Sequence, residues 1–485
     1  MTNNMEIPSE VKKVLAELAG RGFLAYIVGG SVRDLLLNKA PSDWDITTNA
    51  LPDDVLSIFP DSFYENDFGT VGVKTESDND NLKVIEVTTF RKEGGYSDFR
   101  HPDKIEFTEK VEDDLSRRDF TINAMAMDAN GNLIDVYDGR KDLDLKVVRA
   151  VGDPIERFEE DALRLMRAIR FAAQLGFDIE AKTLEAINQK AYLIQNIAKE
   201  RIQVEFSKIV MSDSAAWGIV MLDSCGLLQY IVPELREGIG VTQNKHHIYT
   251  VWEHNLKVFD YACKNSPKLE VRLAALFHDI AKPKVKAGEG ENSTFYNHEV
   301  MGAKMAKEIL RRLKYSTEVV DCTTHLVRNH MFYYNVGEVT EAGVRRFIKR
   351  VGEETLDDLM VLREADRIGS GVPKAVPYKM RHLKFMIDKV RRDPLTPKAL
   401  KLNGDELMKL LGIGPGVKIG FILNILLEEV LDDPQKNDKE YLEKRAIELN
   451  DFDDSRLKEM FQTARNKKDE FEAAAEKEIK RKHKV

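Results

Sequence analysis

The sequence predicts an α+β protein: a small α/β head followed by an extended all-helical neck, body and tail. Three patterns predict it. The apolar, strand-forming run Phe23 to Val28 ends in Gly29-Gly30 and leads into a helical pattern through Val32, Leu35 and Leu36. Lys83 to Phe90 alternates apolar and polar residues, as a half-buried strand does. Past Asp153 the periodicity turns helical. Within Pro154 to Leu175, Ala162, Leu165, Met166 and Ile169 recur at i, i+3, i+4 and i+7 and form one apolar stripe.

At 485 residues the chain is long enough for about three or four domains. A hydrophobic content of 43% with 32% charged residues is ordinary for a soluble globular protein. No stretch approaches the roughly 20 apolar residues of a membrane span, and Met1 to Glu10 has no apolar signal core. Cys225, Cys263 and Cys322 are widely scattered, which excludes a disulfide framework or zinc ribbon and fits a reducing cytoplasm. The net charge of −9 mildly opposes nucleic-acid binding without excluding it, because local patches set the field a ligand meets. The Lys- and Glu-rich C-terminus, with Lys480-Arg481-Lys482, reads as a solvated or frayed helix.

The most informative stretch is Gly29-Gly30-Ser31-Val32-Arg33-Asp34, followed by Asp43-Trp44-Asp45. A strand, a glycine turn and a helix N-terminus make a phosphate site, because backbone N–H groups converge and glycine admits close approach. Ser31 is placed to cap that helix. Asp43 to Thr47 reads as an extended strand, and residues i and i+2 of a strand share a face. Asp43 and Asp45 can therefore share divalent ions that bridge a triphosphate and activate an attacking hydroxyl. Either half alone is ordinary, since double glycines are mostly turns and D-x-D pairs are mostly solvated; it is their order that carries weight.

Two further blocks fit a nucleotide site. Arg117-Arg118-Asp119-Phe120-Thr121-Ile122-Asn123-Ala124 puts adjacent arginines before an apolar helix, from which they can reach a phosphate with a planar fork. Glu160-Asp161-Ala162-Leu163-Arg164, with Arg167 and Arg170, reads as a continuous helix to Phe171. On it Asp161 and Arg164 are neighbours at i and i+3. Such a pair is usually a surface ion pair of little worth. It can also imitate a Watson–Crick edge. The carboxylate accepts from the amino group of cytosine or adenine, and the guanidinium donates to the ring nitrogen. Uracil and guanine present the reverse pattern. Buried polar sites discriminate on such grounds by about 10⁴–10⁵.

These blocks, with Arg-Ala-Ile-Arg-Phe at 167–171, stand in the order of the class II tRNA nucleotidyltransferase/poly(A) polymerase family. The chain resembles its bacterial CCA-adding members, densely over about Tyr26 to Phe206 and more loosely beyond. The resemblance implies a nucleotidyltransferase head over 1–150 and a helical neck over 151–235 that binds the nucleotide base and RNA. It implies Mg²⁺ on Asp43 and Asp45, the catalytic pair. It implies triphosphate contacts from Gly30 and Arg33, with Arg118 nearby, and base reading by Asp161 and Arg164. Arg167 and Arg170 then support that helix or its ligand. Glu86, in Glu-Val-Thr-Thr-Phe-Arg, is a candidate third carboxylate. The expected activity is template-independent addition of CCA to the tRNA 3′ end from CTP and ATP, with tRNA as partner and no membrane.

Alternatives within the family are poly(A) synthesis and partial, A-only or C-only, addition. Family poly(A) polymerases carry an Arg-rich strand where this chain has Asn66-Asp67-Phe68-Gly69-Thr70-Val71, which favours tRNA maturation. The glycine-bearing loop Arg91 to Pro102 resembles the flexible loop of members that add the final A. Its Gly94 and Gly95 are the expected hinges.

A second constellation occupies 246 to 370: His254, His278-Asp279 after the apolar run Leu273 to Phe277, then His298, His325, His330 and Asp366. Imidazole and carboxylate together suit first-row transition ions. The ordered set resembles an HD-type phosphohydrolase domain, expected over 240–370. In that resemblance His254, His278, Asp279 and Asp366 are the core ligands for Ni²⁺, Co²⁺ or Mn²⁺. His298 and one of His325 or His330 would complete a second position. A 2′,3′-cyclic phosphate at a damaged tRNA end is the expected substrate. A helical domain with a degenerate metal site is the competing reading, and a phosphohydrolase whose head only binds nucleotide is another. A helical tail with tRNA contacts is expected over 375–485. There, Leu411-Gly412-Ile413-Gly414-Pro415-Gly416 is either a phosphate-binding helix start or a plain turn.

Overall fold

The computed structural model describes residues 7–66, 69–96, 103–244, 248–371, 376–391, 400–453, 455–462 and 481. Asp67 and Phe68, the loop segment 97–102, and Lys480 and Lys482 of the basic C-terminal run lie outside the described residues. The chain divides into two compact units. One comprises Met1–Met331 with Asp357–Pro373, and the other Phe332–Leu356 with Lys374–Val485. The expected α+β class holds, with a mixed head followed by helices.

The head strands are β1 (Ala25–Val28), β2 (Asp45–Thr48), β3 (Ser62–Asn66), β4 (Thr70–Lys74), β5 (Val84–Thr89), β6 (Arg91–Gly94), β7 (Lys104–Phe107), β8 (Ala126–Met127) and β9 (Leu133–Ile134). Seven of them form one sheet in the order β3-β4-β5-β2-β1-β8-β9, while β6 and β7 make a separate hairpin. Within the seven-stranded sheet the β2–β5 pair is parallel and the other pairs are antiparallel. The alternation in β5 is real: Ile85, Val87 and Thr89 are buried while Val84 and Glu86 face outward. β2 starts at Asp45 rather than Asp43, which sits in the bend before it.

The helical pattern of Pro154 to Leu175 is broken in the structure. One helix covers Pro154–Glu160 and the next Arg164–Leu175, with Asp161 extended between them (φ −135°, ψ 103°). The Asp161 side chain explains the break. Its carboxylate accepts from the Leu163 N–H at 3.0 Å, so it starts a new helix instead of continuing the old one. Helix Arg164–Leu175 then packs on Lys199–Val210 and Ala215–Ser224.

Further along the same unit, helix Leu269–Phe277 is buried from Val271 through Phe277. Apart from Arg272 this buried stretch is apolar, and a helix buried on every side sits in the middle of its bundle. It packs against both Val251–Asn265 and Thr317–Asn329, and it delivers His278-Asp279 into that interior. The second unit has its own core, built on Leu402, Leu407, Ile422, Leu426, Leu442 and Leu449. In it Gly412, at φ +65°, closes helix Gly404–Leu411 and donates its N–H to the Met408 carbonyl. The segment 411–416 thus joins that helix to Val417–Asp432, which starts after Gly416. Among the described residues no helix is long and apolar enough to cross a membrane.

Candidate active site and metal centre

The head site is built around the parallel pairing of β2 and β5, whose register sets Asp45 beside Glu86. Burial first, and then the Asp43 charge, push the Asp45 carboxyl from its ordinary 3.8 up to about 6, against the pull of Arg118. Burial and the charges of Asp45, Glu65 and Asp43 raise Glu86 from 4.5 to about 7, an effect that its access to solvent screens. Asp45 and Glu86, with the Asp43 charge close enough to raise both, offer oxygen donors of the kind a hard divalent cation such as Mg²⁺ takes. Glu86 joins Asp43 and Asp45 through the register, and sequence spacing alone could not place it.

Ser31 does not cap its helix; Gly29 is the cap residue and makes no side-chain bond. The Ser31 side chain is fully buried. It donates to the Asp43 carbonyl at 3.1 Å and accepts from the Asp45 N–H at 3.3 Å. It therefore ties the glycine turn to the carboxylate segment. Gly29 itself has φ +75°, and a Cβ there would lie 3.0 Å from Arg118 Nη1 and 3.6 Å from Asp45 Oδ2. Only glycine lets Arg118 and Asp45 face each other across the turn. Arg118 Nε is buried with no hydrogen-bond partner among the described residues, which suits a guanidinium waiting for a phosphate oxygen.

The two arginines of the second block do not act alike. They follow helix Val111–Ser116 rather than lead a new one. Arg117 binds Asp114 at 2.7 Å and reaches Glu93 of β6 at 3.1 Å. Glu93 also accepts from the Tyr96 hydroxyl at 2.6 Å, so the described base of the 91–102 loop is pinned to the neighbour of Arg118. Of the two expected hinges, Gly95 has the left-handed φ of +68°, and Gly94 closes β6.

The third block departs most from expectation. Asp161 and Arg164 are not paired on one helical face. The Asp161 carboxylate is held by Arg201 at 2.8 Å. Arg164 is buried, bonded to Glu160 and to the carbonyl oxygens of Arg157 (3.0 Å) and Arg117 (3.1 Å). The helix break separates the two side chains that an unbroken helix would align. Arg167 binds Asp119 at 2.6 Å, and Arg170 binds Glu205 at 2.9 Å. Burial would raise Asp119, but Arg167 overrides it and holds the carboxyl down at about 2. Burial also draws Arg170 down to about 10 despite Glu205. Arg33, anchored on Asn123 at 2.8 Å, joins Arg167 and Arg170 around the Phe171 ring, at 5.3, 5.3 and 4.1 Å. Head and neck arginines thus converge on one aromatic ring.

The second constellation also converges. His254, His278 and Asp366 form one cluster, and Asp279, His298 and His330 another. Asp279 joins them: Oδ2 lies 3.2 Å from both His254 and His278 Nε2, and Oδ1 lies 3.3 Å from His298 and 3.7 Å from His330. His330, not His325, takes the open place. His325 stays on the helix Thr317–Asn329 beside Asn329. Three imidazoles use Nδ1 on backbone carbonyls: His278 on Ala275, His298 on Phe295 and His330 on Val327. That fixes the tautomer and aims each Nε2 lone pair inward. His254 and His278 Nε2 then stand 3.1 Å apart. At that distance the two nitrogens can share a proton or a bound cation. Burial pushes His254 down, yet Asp279 and Asp366 outweigh it and carry it up to about 9, while burial and His278 take His330 down to about 3. The donor set fits two first-row transition ions that share Asp279.

A carboxylate cluster facing an arginine across a strand–glycine–helix turn defines a metal-dependent nucleotidyltransferase head. The helices that follow carry a histidine–aspartate metal centre. Residues 25–149 match the Poly A polymerase head domain family, 176–239 the family described as "Probable RNA and SrmB- binding site of polymerase A", and 251–370 the HD domain family. The chain is 33% identical over 451 residues to the CCA-adding enzyme of Enterococcus faecalis, spanning 90% of this chain and 95% of that one. It is also 33% identical to that of Ligilactobacillus salivarius, spanning 91% and 98%. A solved CCA-adding enzyme of Bacillus stearothermophilus in complex with CTP aligns with TM-score 0.58 and 28% identity, over 91% of this chain and 97% of its own. The chain belongs to the CCA-adding enzyme family.

The raised carboxyls predict a pH-dependent response to Mg²⁺. An acid whose folded pKa is raised contributes stability below its unfolded value near 4, and loses it as pH climbs through about 6 to 7. In EDTA, Tm should therefore sag between pH 5 and 8. Mg²⁺ should raise Tm more at pH 8 than at pH 5, and Asp45→Asn should remove that difference. An equal Mg²⁺ increment in wild type and Asp45→Asn would show that the ion binds elsewhere.

Proposed function

We infer that the chain is an enzyme that completes the tRNA 3′ end with CCA, from CTP and ATP, without a nucleic-acid template. The observation that carries this is the Asp43–Asp45–Glu86 cluster facing Arg118 across Gly29, in a chain aligned nearly end to end with CCA-adding relatives. The terminal 3′-hydroxyl attacks the α-phosphate in line and pyrophosphate leaves. Mg²⁺ on Asp43 and Asp45, with Glu86 beside them, supplies charge neutralisation and a more acidic hydroxyl when bound. Arg118 and Arg33 take the triphosphate oxygens, and the Gly29-Gly30 turn gives them room. Asp161 and Arg164 read the base, exchanging Arg201 and Glu160 for its edge. Arg167 and Arg170 brace the pocket from Phe171. The 91–102 loop serves the final A, which sets this reading above C-only addition, and the sequence at 66–71, which lacks the Arg-rich strand of family poly(A) polymerases, sets it above poly(A) synthesis.

We propose the bounds 1–150, 151–235, 240–370 and 375–485 for head, neck, HD-type domain and tail. The family limits 25–149, 176–239 and 251–370 support the first three. A cytoplasmic location rests on three separate free thiols. The HD-type centre hydrolyses a phosphate ester or anhydride with Ni²⁺, Co²⁺ or Mn²⁺ held by His254, His278, Asp279 and Asp366, together with His298 and His330.

Three outcomes are expected. Asp43→Ala or Asp45→Ala lowers incorporation of CMP into a tRNA lacking its 3′ end by about 10²–10³-fold or more, while a gel-shift assay finds tRNA binding kept. Normal incorporation by either variant would discard the carboxylate assignment. Asp161→Ala lets UTP or GTP compete in the same assay; unchanged selectivity for CTP would remove Asp161 from base reading. For the second centre, elemental analysis should find that His330→Ala costs one of two bound transition ions and His325→Ala costs none. The reverse pattern would overturn the choice of His330.

A further inference from the structure

We propose that Phe63 is the platform on which the terminal nucleoside of the tRNA rests while its 3′-hydroxyl attacks. Gly72 gives the ring its place, and Lys74 takes a phosphate of the arriving strand. The proposal rests on reading the head as a CCA-adding site.

Direction is the first argument. The glycine turn after β1, with Arg118 against it, lies on one side of β2; β5, β4 and β3 follow in order on the other. In-line displacement puts the attacking and leaving oxygens on opposite sides of the phosphorus. With pyrophosphate leaving toward the glycine turn, the hydroxyl arrives from the side of Glu86. The nucleoside that carries it then lies over β4 and β3.

Register is the second. Asp45, Glu86, Gly72 and Phe63 are successive partners across β2, β5, β4 and β3, so they share one face of the sheet. β3 is two strands away from β5, about 10 Å at roughly 4.8 Å per strand. The Phe63 ring bridges part of that gap. A Cβ on Gly72 would lie 2.6 Å from its Cζ and 2.9 Å from its Cε1. The ring therefore reaches over β4 toward Glu86, and a side chain at position 72 would push it off. Lys74, two residues on in β4, holds Nζ over the same ring, 5.6 Å from its centre.

Chemistry is the third. Phe63 and Lys74 are both exposed, so a ligand can reach them. The Glu65 charge adds to those that act on Glu86, which makes this flank acidic and repels a phosphodiester. The strand needs a hold that carries no charge, and an aromatic ring supplies it by stacking on a base. Stacking also accepts any base, because every base has a π-face. That tolerance is required here. The nucleoside to be extended changes at each addition, from the last nucleotide of the tRNA to C and then to a second C, whereas only the incoming base has to be read. The flexible Lys74 stem can swing its ammonium from the ring onto a phosphate of the strand.

The experiment uses the full chain and tRNA that ends before the CCA, after its first C or after its second. For each, kcat/KM for the tRNA is measured beside KM for the incoming CTP or ATP. Phe63→Ala should lower kcat/KM for the tRNA by at least about fivefold at all three stages, with KM for the nucleotide unchanged. Phe63→Trp should recover most of that loss, and Gly72→Val, which crowds the ring out, should match Phe63→Ala. Without CTP or ATP, a tRNA ending in 2-aminopurine should lose more fluorescence on binding wild type or Phe63→Trp than on binding Phe63→Ala. Unchanged kcat/KM in Phe63→Ala or Gly72→Val, an equal loss in Phe63→Trp, a loss at one stage alone, a change in nucleotide KM alone, or equal quenching by all three proteins would each overturn the proposal and leave the CCA-adding reading standing. No incorporation by the wild type would overturn both.

Discussion

The parallel contact between β2 and β5 is the constraint on which the head depends. It is the parallel pair of the seven-stranded sheet, and it forces Asp45 and Glu86 side by side. Placing two acids on facing positions of neighbouring strands is destabilising unless a cation joins them. The fold accepts that cost and surrounds it with rigid parts. Ile46 and Val87 pair in the same register and are buried beneath the acids. Ser31 pins the bend that carries Asp43, and Asp114, fully buried, holds Arg117 and Arg118 while accepting from Thr47. The acids cannot drift apart to relieve their repulsion, so a cation relieves it instead. That is how a sheet becomes a preorganised electrostatic site.

The arginines extend the same logic into the neck. Arg33 comes from helix Gly30–Leu36 of the head, Arg167 and Arg170 from helix Arg164–Leu175, and all three surround Phe171. Like charges gathered on one ring need counter-ions, and Asp34, Asp119 and Glu205 supply them to Arg33, Arg167 and Arg170 in turn. The segment Arg117–Asp119 is bonded to the neck helix at two points, through the Arg117 carbonyl and the Asp119 carboxylate. The arginines of the head and the segment around Asp161 and Arg164 are therefore held by one network of bonds.

Much of this was legible in the chain, and the parts that were not have specific causes. The strand–glycine–helix opening and the alternation of β5 follow from local periodicity, and the structure keeps them, whereas Asp43 lies in a bend and not on the strand expected to carry it with Asp45. Glu86 needed a strand register, which sequence spacing does not carry. The single helix expected through Asp161 failed because Ala162 fits an apolar stripe with Leu165, Met166 and Ile169 while the neighbouring Asp161 side chain binds the backbone of a new turn. Once the helix breaks, Arg201, forty residues on in the chain, replaces Arg164 as its partner. In the second centre the ligand types were readable, but the choice between His325 and His330 turned on one helix end. His325 lies within Thr317–Asn329, and His330 is the residue that terminates it and turns inward.

The two centres solve one electrostatic problem with different chemistry, and the difference keeps them apart. Both crowd carboxylates into partly or wholly buried space, and both require positive charge to do so. In the head the cluster is oxygen alone, and its acids remain partly open to solvent. That suits Mg²⁺, which keeps several waters and is shared with a phosphate chain. In the second centre four imidazoles enclose two buried carboxylates, and nitrogen donors favour first-row transition ions over Mg²⁺ by intrinsic affinity. One chain can therefore hold both kinds of ion in one cell. The abundant hard ion serves the site that must release a charged product at every addition. The scarcer ions would sit in the interior, among imidazoles of which three have their outer nitrogen fixed on the backbone.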